Sequence, residues 1–163
     1  RKTMKIRNEN GFTLIELMIV LIIIVTLGAI ALPQMDLMFT KNKLRASTTS
    51  VTSSLYLSRM KSINEGELYG VQFNFADGTF QIKRDPYGTA EDFGSAYTLD
   101  EEISFSDITF ISDLAVFNEY GQLDKNCLQT GESTGVIELV NAESDTTMVE
   151  VTFISGRIRE SNP

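Results

Sequence analysis

The sequence predicts an α+β fold in which a long N-terminal helix packs on an antiparallel β-sheet head. Three observations carry this expectation. Residues 12–32 form a nearly uninterrupted apolar run. Residues 34–64 contain neither Gly nor Pro and keep a helical apolar spacing. After Gly66 the apolar period shortens from that of a helix to that of a strand, so one long helix is followed only by strands.

Composition narrows the function classes. The chain has 163 residues with 14 Lys and Arg against 22 Asp and Glu, no His, and a formal net charge of −8. Residues 1–10 run the other way, with Arg1, Lys2, Lys5 and Arg7 against Glu9, so the body is more acidic than the whole. An acidic body argues against a general nucleic-acid binder or an anionic-membrane binder, because both rest on clustered Lys and Arg. Without His, the usual catalytic triads, proton shuttles and most zinc sites are excluded. No nucleophile–base pair, no Gly-rich phosphate loop and no calcium loop is present, so no catalytic residue, cofactor or metal is nominated. The lone Cys127 cannot form an intrachain disulfide and reads as a loop or core thiol.

The apolar run lies within GFTLIELMIVLIIIVTLGAIALP, residues 11–33. From Phe12 to Leu32 only Thr13, Glu16, Thr26 and Gly28 interrupt it. As a helix it is roughly 30 Å long, the thickness of a bilayer core. No polar face is visible, as a soluble helix would require. The run therefore predicts a membrane-inserted helix. Two ordinary readings compete for it: a secretory signal cut after Ala29-Ile30-Ala31, and a simple single-pass anchor. Lys41, Lys43 and Arg45 beyond the run nearly balance the basic start, so charge alone gives little orientation. Neither reading explains Glu16, because a carboxylate deep in lipid costs about 2.5–3.5 kcal/mol. It either meets a partner or sits near enough to the membrane edge to reach water.

Pro33 lacks a backbone donor and predicts a kink. Beyond it, Leu37, Leu44, Val51 and Leu55 form a stripe, with Tyr56, Met60 and Ile63 beside it, on a helix packed against its own head. The stretch STTSVTSS, residues 47–54, has mediocre helix propensity and is read as helix because the apolar phase crosses it. Asn64-Glu65-Gly66 is the stop. LYGVQFNF (68–75) and TFQIKR (79–84) predict a hairpin turning at Asp77-Gly78. Further strands are expected over 103–112, 114–118, 135–140 and 147–154, the last with Val149, Val151 and Phe153 on one face. Residues 84–102 show no periodicity and read as a surface loop. Asp100-Glu101-Glu102 reads as a solvated charge run.

KIRNENGFTLIELMIVLIIIVTLGAIALP resembles the processing signal of type IV prepilins and type II secretion pseudopilins. The resemblance implies a leader, residues 1–11, that a prepilin peptidase removes after Gly11, with N-methylation of the new first residue, Phe12. The initiator is then expected at Met4 or upstream. Residues 12–33 become the transmembrane and filament-core helix, 34–65 its amphipathic continuation and 66–163 a β-rich head in the periplasm. Glu16 matches the family's glutamate and Pro33 its kink. A free ammonium at Phe12 is as costly in lipid as the carboxylate, so Glu16 of one subunit paired with Phe12 of a neighbour would relieve both and set the register. The implied partners are prepilin peptidase, other pilins or pseudopilins, the bacterial inner membrane, and a secretin or secreted substrate.

The order LYLSRMKSIN, YGVQFNFADGTFQI, AVFNEYGQL, GVIELV and SGRIRE further resembles the GspH/FimT-like minor pseudopilins. Major subunits are built differently after the helix, so the resemblance implies a non-enzymatic, low-copy component near a filament tip. FimT-type minor pilins are thought to hold DNA through a C-terminal Gly-Arg-x-Arg element, and Gly156-Arg157-Ile158-Arg159 has that spacing. Strand alternation puts Arg157 and Arg159 on one face, where they either contact successive phosphates or bond local carboxylates such as Glu150 and Glu160.

Overall fold

The computed structural model describes residues 12–161, with the side chains of residues 31–37 outside that description. The chain divides into two compact units, Arg1–Met38 and Phe39–Pro163. One helix, α1 (Leu14–Glu65), contributes to both.

In the first unit the helix has no inward face. Every described side chain from Phe12 to Ile30 is exposed, and only Gly28 is half-buried. The helix interrupts its apolar surface sparingly, and the Thr26 hydroxyl is spent on the Ile23 carbonyl at 2.9 Å. Pro33 falls within the span of α1. The kink expected there lies outside the described side chains.

In the second unit the same helix becomes one-sided. Leu44, Ser47, Thr48, Val51, Ser54, Leu55, Ser58 and Ser62 are buried and recur on one helical face, with Val51 and Leu55 fully enclosed. The serines give this face little side-chain depth between the leucines and valine. STTSVTSS is helical throughout, because burial of this face outweighs weak propensity. Its hydroxyls turn back onto the helix: Thr48 donates to Leu44 O (2.8 Å), Thr49 to Arg45 O (2.9 Å) and Ser50 to Ala46 O (3.0 Å). Tyr56, Met60 and Ile63 do not join the packed face and remain largely exposed. The helix stops where Gly66 takes a φ of +68° and its N–H bonds Ser62 O at 3.0 Å.

Among the described residues eight strands follow: β1 (Tyr69–Asn74), β2 (Thr79–Arg84), β3 (Glu91–Thr98), β4 (Ile103–Ile108), β5 (Leu114–Phe117), β6 (Thr134–Asn141), β7 (Thr146–Thr152) and β8 (Ile158–Ser161). They form two four-stranded antiparallel sheets, ordered β3-β2-β1-β5 and β4-β6-β7-β8, where the sequence had suggested one. The chain changes sheets three times, between β3 and β4, between β4 and β5, and between β5 and β6. Ser112 and Asp113 both adopt positive φ (56° and 54°), which turns the chain out of one sheet and lays β5 beside β1. The expected strand over 103–112 therefore ends at Ile108.

The hairpins β1–β2 and β6–β7 form as the alternation predicts, with Val71 opposite Ile82 and Ile137 opposite Val149. The segment 84–102 corrects the sequence reading, because it contains β3 and is not a loop. β3 is an edge strand with almost every side chain exposed, so it has no inside and outside for periodicity to record. Its pairing with β2 is irregular between Phe80 and Ile82, and Lys83 and Arg84 meet Asp92 and Glu91 across it. A bulged and charged edge resists further strand pairing.

The sheets meet at aromatic rings. Phe105 of β4 packs edge-on against Phe73 of β1 (5.5 Å) and Phe80 of β2 (6.5 Å). The Leu123 N–H donates to Phe153 O at 3.2 Å, tying the chain after β5 to the turn after β7. Phe153 is only half-buried, unlike Val149 and Val151. Charges fasten the helix to the loops. Lys43 bridges Asp100 (3.3 Å) and Glu102 (2.9 Å), and Lys41 reaches Asp145 at 4.0 Å. The acidic run is thus an anchor for α1 as well as a solvated face.

Where the turns beside α1 close up, Gly156 has φ +56°, and a Cβ on it would lie 1.9 Å from the Gly121 carbonyl oxygen. Gly156→Ala is expected to cost about 2–4 kcal/mol, combining positive-φ strain with displaced backbone. Urea unfolding of the two proteins, compared at equal slope, checks it.

Candidate functional site

The N-terminal candidates gather at the start of α1. Thr13 is a suitable N-cap, and its hydroxyl oxygen accepts the Glu16 N–H at 3.3 Å while its carbonyl accepts the Leu17 N–H at 3.2 Å. Thr-x-x-Glu is the spacing of a capping box. Phe12 lies just outside the helix and is 83% exposed. Glu16 occupies the first turn, where the helix dipole favours a carboxylate. Among the described residues its carboxylate has no hydrogen bond or ion pair. Gly11 and the basic leader lie outside the described residues. Sequence reasoning missed the cap, although Thr-x-x-Glu before an apolar run is its signal.

Around these two polar groups stand Leu14, Ile15, Leu17, Met18, Ile19 and their successors to Ile30, all about half or more exposed. Among the described residues no helix is long and apolar enough to cross a membrane. The described apolar stretch, 14–30, measures about 26 Å. In sequence the run continues through Leu32.

The C-terminal candidates sit on and beside β8. Arg157 and Arg159 are exposed and Ile158 between them is buried, so both guanidiniums leave the same face. Neither forms an ion pair among the described residues, although Glu150 lies opposite Arg159 across the β7–β8 ladder. Gly156 serves the backbone, packing against Gly121 as described above. The residue that positions this element is Arg59 of α1. Its Nε–H donates to Gly121 O (2.8 Å) and its Nη2 to Ser155 O (3.0 Å). Tyr56 adds its hydroxyl to Ile158 O at 3.2 Å. A mid-helix arginine gives no sequence signal of such a role.

Elsewhere the head holds charge in structural pairs. Arg84 grips Glu67 through two bonds (2.5 and 2.9 Å), which holds the Glu67 carboxyl below its ordinary range. Tyr69 donates to Glu65 at 2.5 Å, and burial first, then that bond, pushes its pKa up to about 12. Bonds to Glu102 and then Asp100 raise Lys43. No cluster among the described residues has the ligands to hold a metal ion.

Residues 6–32 match the family model of the prokaryotic N-terminal methylation motif. In fold the chain is similar to the minor pseudopilin EpsH of the Type 2 Secretion System of Vibrio cholerae, with a TM-score of 0.59 at 13% identity. That match covers 74% of this chain and 98% of the other. A second EpsH structure gives 0.59 at 11% identity, covering 76% and 98%. The type IV minor pilin FimU of Pseudomonas aeruginosa gives 0.56 at 12%, covering 76% and 92%. No curated protein matches the chain. The fold and N-terminus thus define a class: a methylation motif of prokaryotic type, then a helix on an antiparallel head. Within it, the fold is the one seen in minor pseudopilins and minor type IV pilins.

Cys127 is 1% exposed, with its S–H donating to Asp124 O at 2.8 Å. Burial, the largest cause, pushes its pKa up to about 11 from 9.0. The folded state therefore holds the thiol proton that the unfolded state gives up between about pH 9 and 11. Stability should fall as pH rises through that window. Denaturation at pH 8 and 10, on this chain and on Cys127→Ala, checks the sign: the decline should be smaller in the variant.

Proposed function

We propose that the chain is a minor pilin or pseudopilin of a type II secretion system or type IV pilus, processed after Gly11, methylated at Phe12 and assembled by its N-terminal helix at or near a filament tip. One observation carries the reading. A methylation motif leads into a helix whose described part before Pro33 is apolar on all sides and carries one carboxylate, Glu16, without a partner among the described residues. Such a helix requires lipid or other apolar helices as its surroundings. The inner membrane supplies the first before assembly, with the head in the periplasm, and neighbouring subunits supply the second afterwards.

The Phe12 ammonium produced by cleavage and the Glu16 carboxylate then solve each other's desolvation. Paired across subunits, they fix axial register without leaving either charge bare in an apolar core. The head performs no bond chemistry. It transmits movement of the filament to the secreted substrate or secretin.

Mass spectrometry of the mature N-terminus tests this directly. A start at N-methylated Phe12 is expected, and a start at Leu32 would establish an ordinary signal instead. Glu16→Ala is expected to be cleaved but incorporated into filaments far less than wild type. Normal incorporation overturns the register role.

A second reading, DNA capture in the manner of FimT-like minor pilins, is favoured by two exposed arginines on one face that form no ion pair among the described residues. It predicts a gel shift at low ionic strength that weakens steeply with salt and disappears in Arg157→Ala/Arg159→Ala. No shift by the wild-type chain at low salt eliminates it.

A further inference from the structure

A small groove of about 210 Å³ lies between α1 and the end of β3, lined by Thr49, Ser50, Ser53, Ser54, Leu57 and Tyr97. No residue of this lining is charged, although charged residues make up 22% of the chain. Its hydrogen-bonding capacity runs both ways. Thr49 and Ser50 give their hydroxyl protons to Arg45 O and Ala46 O, which leaves their oxygens as acceptors. The hydroxyls of Ser53, Ser54 and Tyr97 have no hydrogen bond among the described residues and keep their protons to donate. Ser54 is only 3% exposed and still lines the groove. A polar group that deeply buried calls for a partner, and the groove is where one can enter.

Tyr97 adds a flat apolar wall. It stacks on Phe80, which it faces across the β2–β3 pairing, with 5.2 Å between ring centroids and 12° between planes. The stacking fixes the ring, yet 42% of the residue stays exposed. These features select a ligand by its chemistry. An ionic ligand would find no opposite charge, and an apolar one would seal Ser54 without a partner. A pyranose matches both parts of the groove. Its C–H face is apolar and lies on an aromatic ring, while the hydroxyls around its rim donate and accept. The space is smaller than the roughly 300–1,000 Å³ of sites for drug-sized ligands and suits a single ring. We propose that this groove binds a neutral hexopyranose ring, its apolar face on Tyr97 and its hydroxyls on Ser53 and Ser54. The site belongs to the head alone, so it stands or falls apart from the proposed function.

Saturation-transfer NMR on the full chain in phosphatidylcholine nanodiscs tests it, with millimolar glucose and N-acetylglucosamine as probes. Glycerol, indole and a glycine–serine tetrapeptide serve as controls for hydroxyls without a ring face, a ring without hydroxyls, and a neutral peptide. Transfer to the ring C–H protons of at least one sugar should exceed that of empty nanodiscs and of every control several-fold. Tyr97→Ala should lose it several-fold, whereas Tyr97→Phe, which keeps the ring, should retain most of it. Ser53→Leu, at an exposed position, should abolish it by filling the groove. Absence of transfer to both sugars, undiminished transfer in Tyr97→Ala or in Ser53→Leu, or equal transfer to any control would each overturn the proposal.

Discussion

The structure turns on one constraint: a single helix must satisfy two different surroundings. Its first part is apolar on every side, and its second part is apolar and small on one side only. That second face decides the head. Val51 and Leu55 are fully enclosed among small buried serines, and from the same helix Arg59, Tyr56 and Lys43 reach the Gly121 carbonyl, the Ile158 carbonyl of β8 and the Glu102 carboxylate. Large-to-small changes at Val51 or Leu55 act through cavity formation, whereas enlargement at Ser54 or Ser58 acts by lifting the helix.

The polar chemistry of the two units is opposite in kind. The head pairs many of its charges internally, as in Arg84 with Glu67, Lys61 with Glu65 and Lys43 with Asp100 and Glu102. These pairs are exposed or half-exposed, so they direct loops to their places more than they add stability. Glu16 is held differently, fixed at the backbone by Thr13 but without a side-chain partner among the described residues. An apolar helix that displays one free carboxylate has its recognition chemistry concentrated at a point, and the rest of its surface is generic.

Much of the fold was legible because it left period in the sequence. The helix from Leu14 to Glu65, its stop at Gly66 and the β1–β2 and β6–β7 hairpins are all written in apolar spacing. β3 was not, because an edge strand exposed on both faces alternates nothing. The return of the chain from β4 to the first sheet passes through positive φ at Ser112 and Asp113, with no glycine to announce it. Tyr56, Met60 and Ile63 carry a helical spacing that reads as core but faces outward. At the candidate sites, motif residues such as Phe12, Glu16 and Arg157 could be named from sequence. Thr13 was announced by Thr-x-x-Glu and overlooked, whereas Arg59 could not be ranked, since its role arises from backbone groups it meets only in the folded chain.

β3 has a further consequence. In the proposed assembly the neighbours would be similar folds at high local density, with other exposed sheet edges close by, the circumstance in which strands exchange and fibres seed. Here the outermost strand of one sheet is bulged, carries Glu91 and Asp92 at its start, and buries almost nothing. It can be touched without being extended. Such an edge would let subunits of that assembly crowd in an orderly way, because contact through side chains stays reversible while contact through backbone ladders does not.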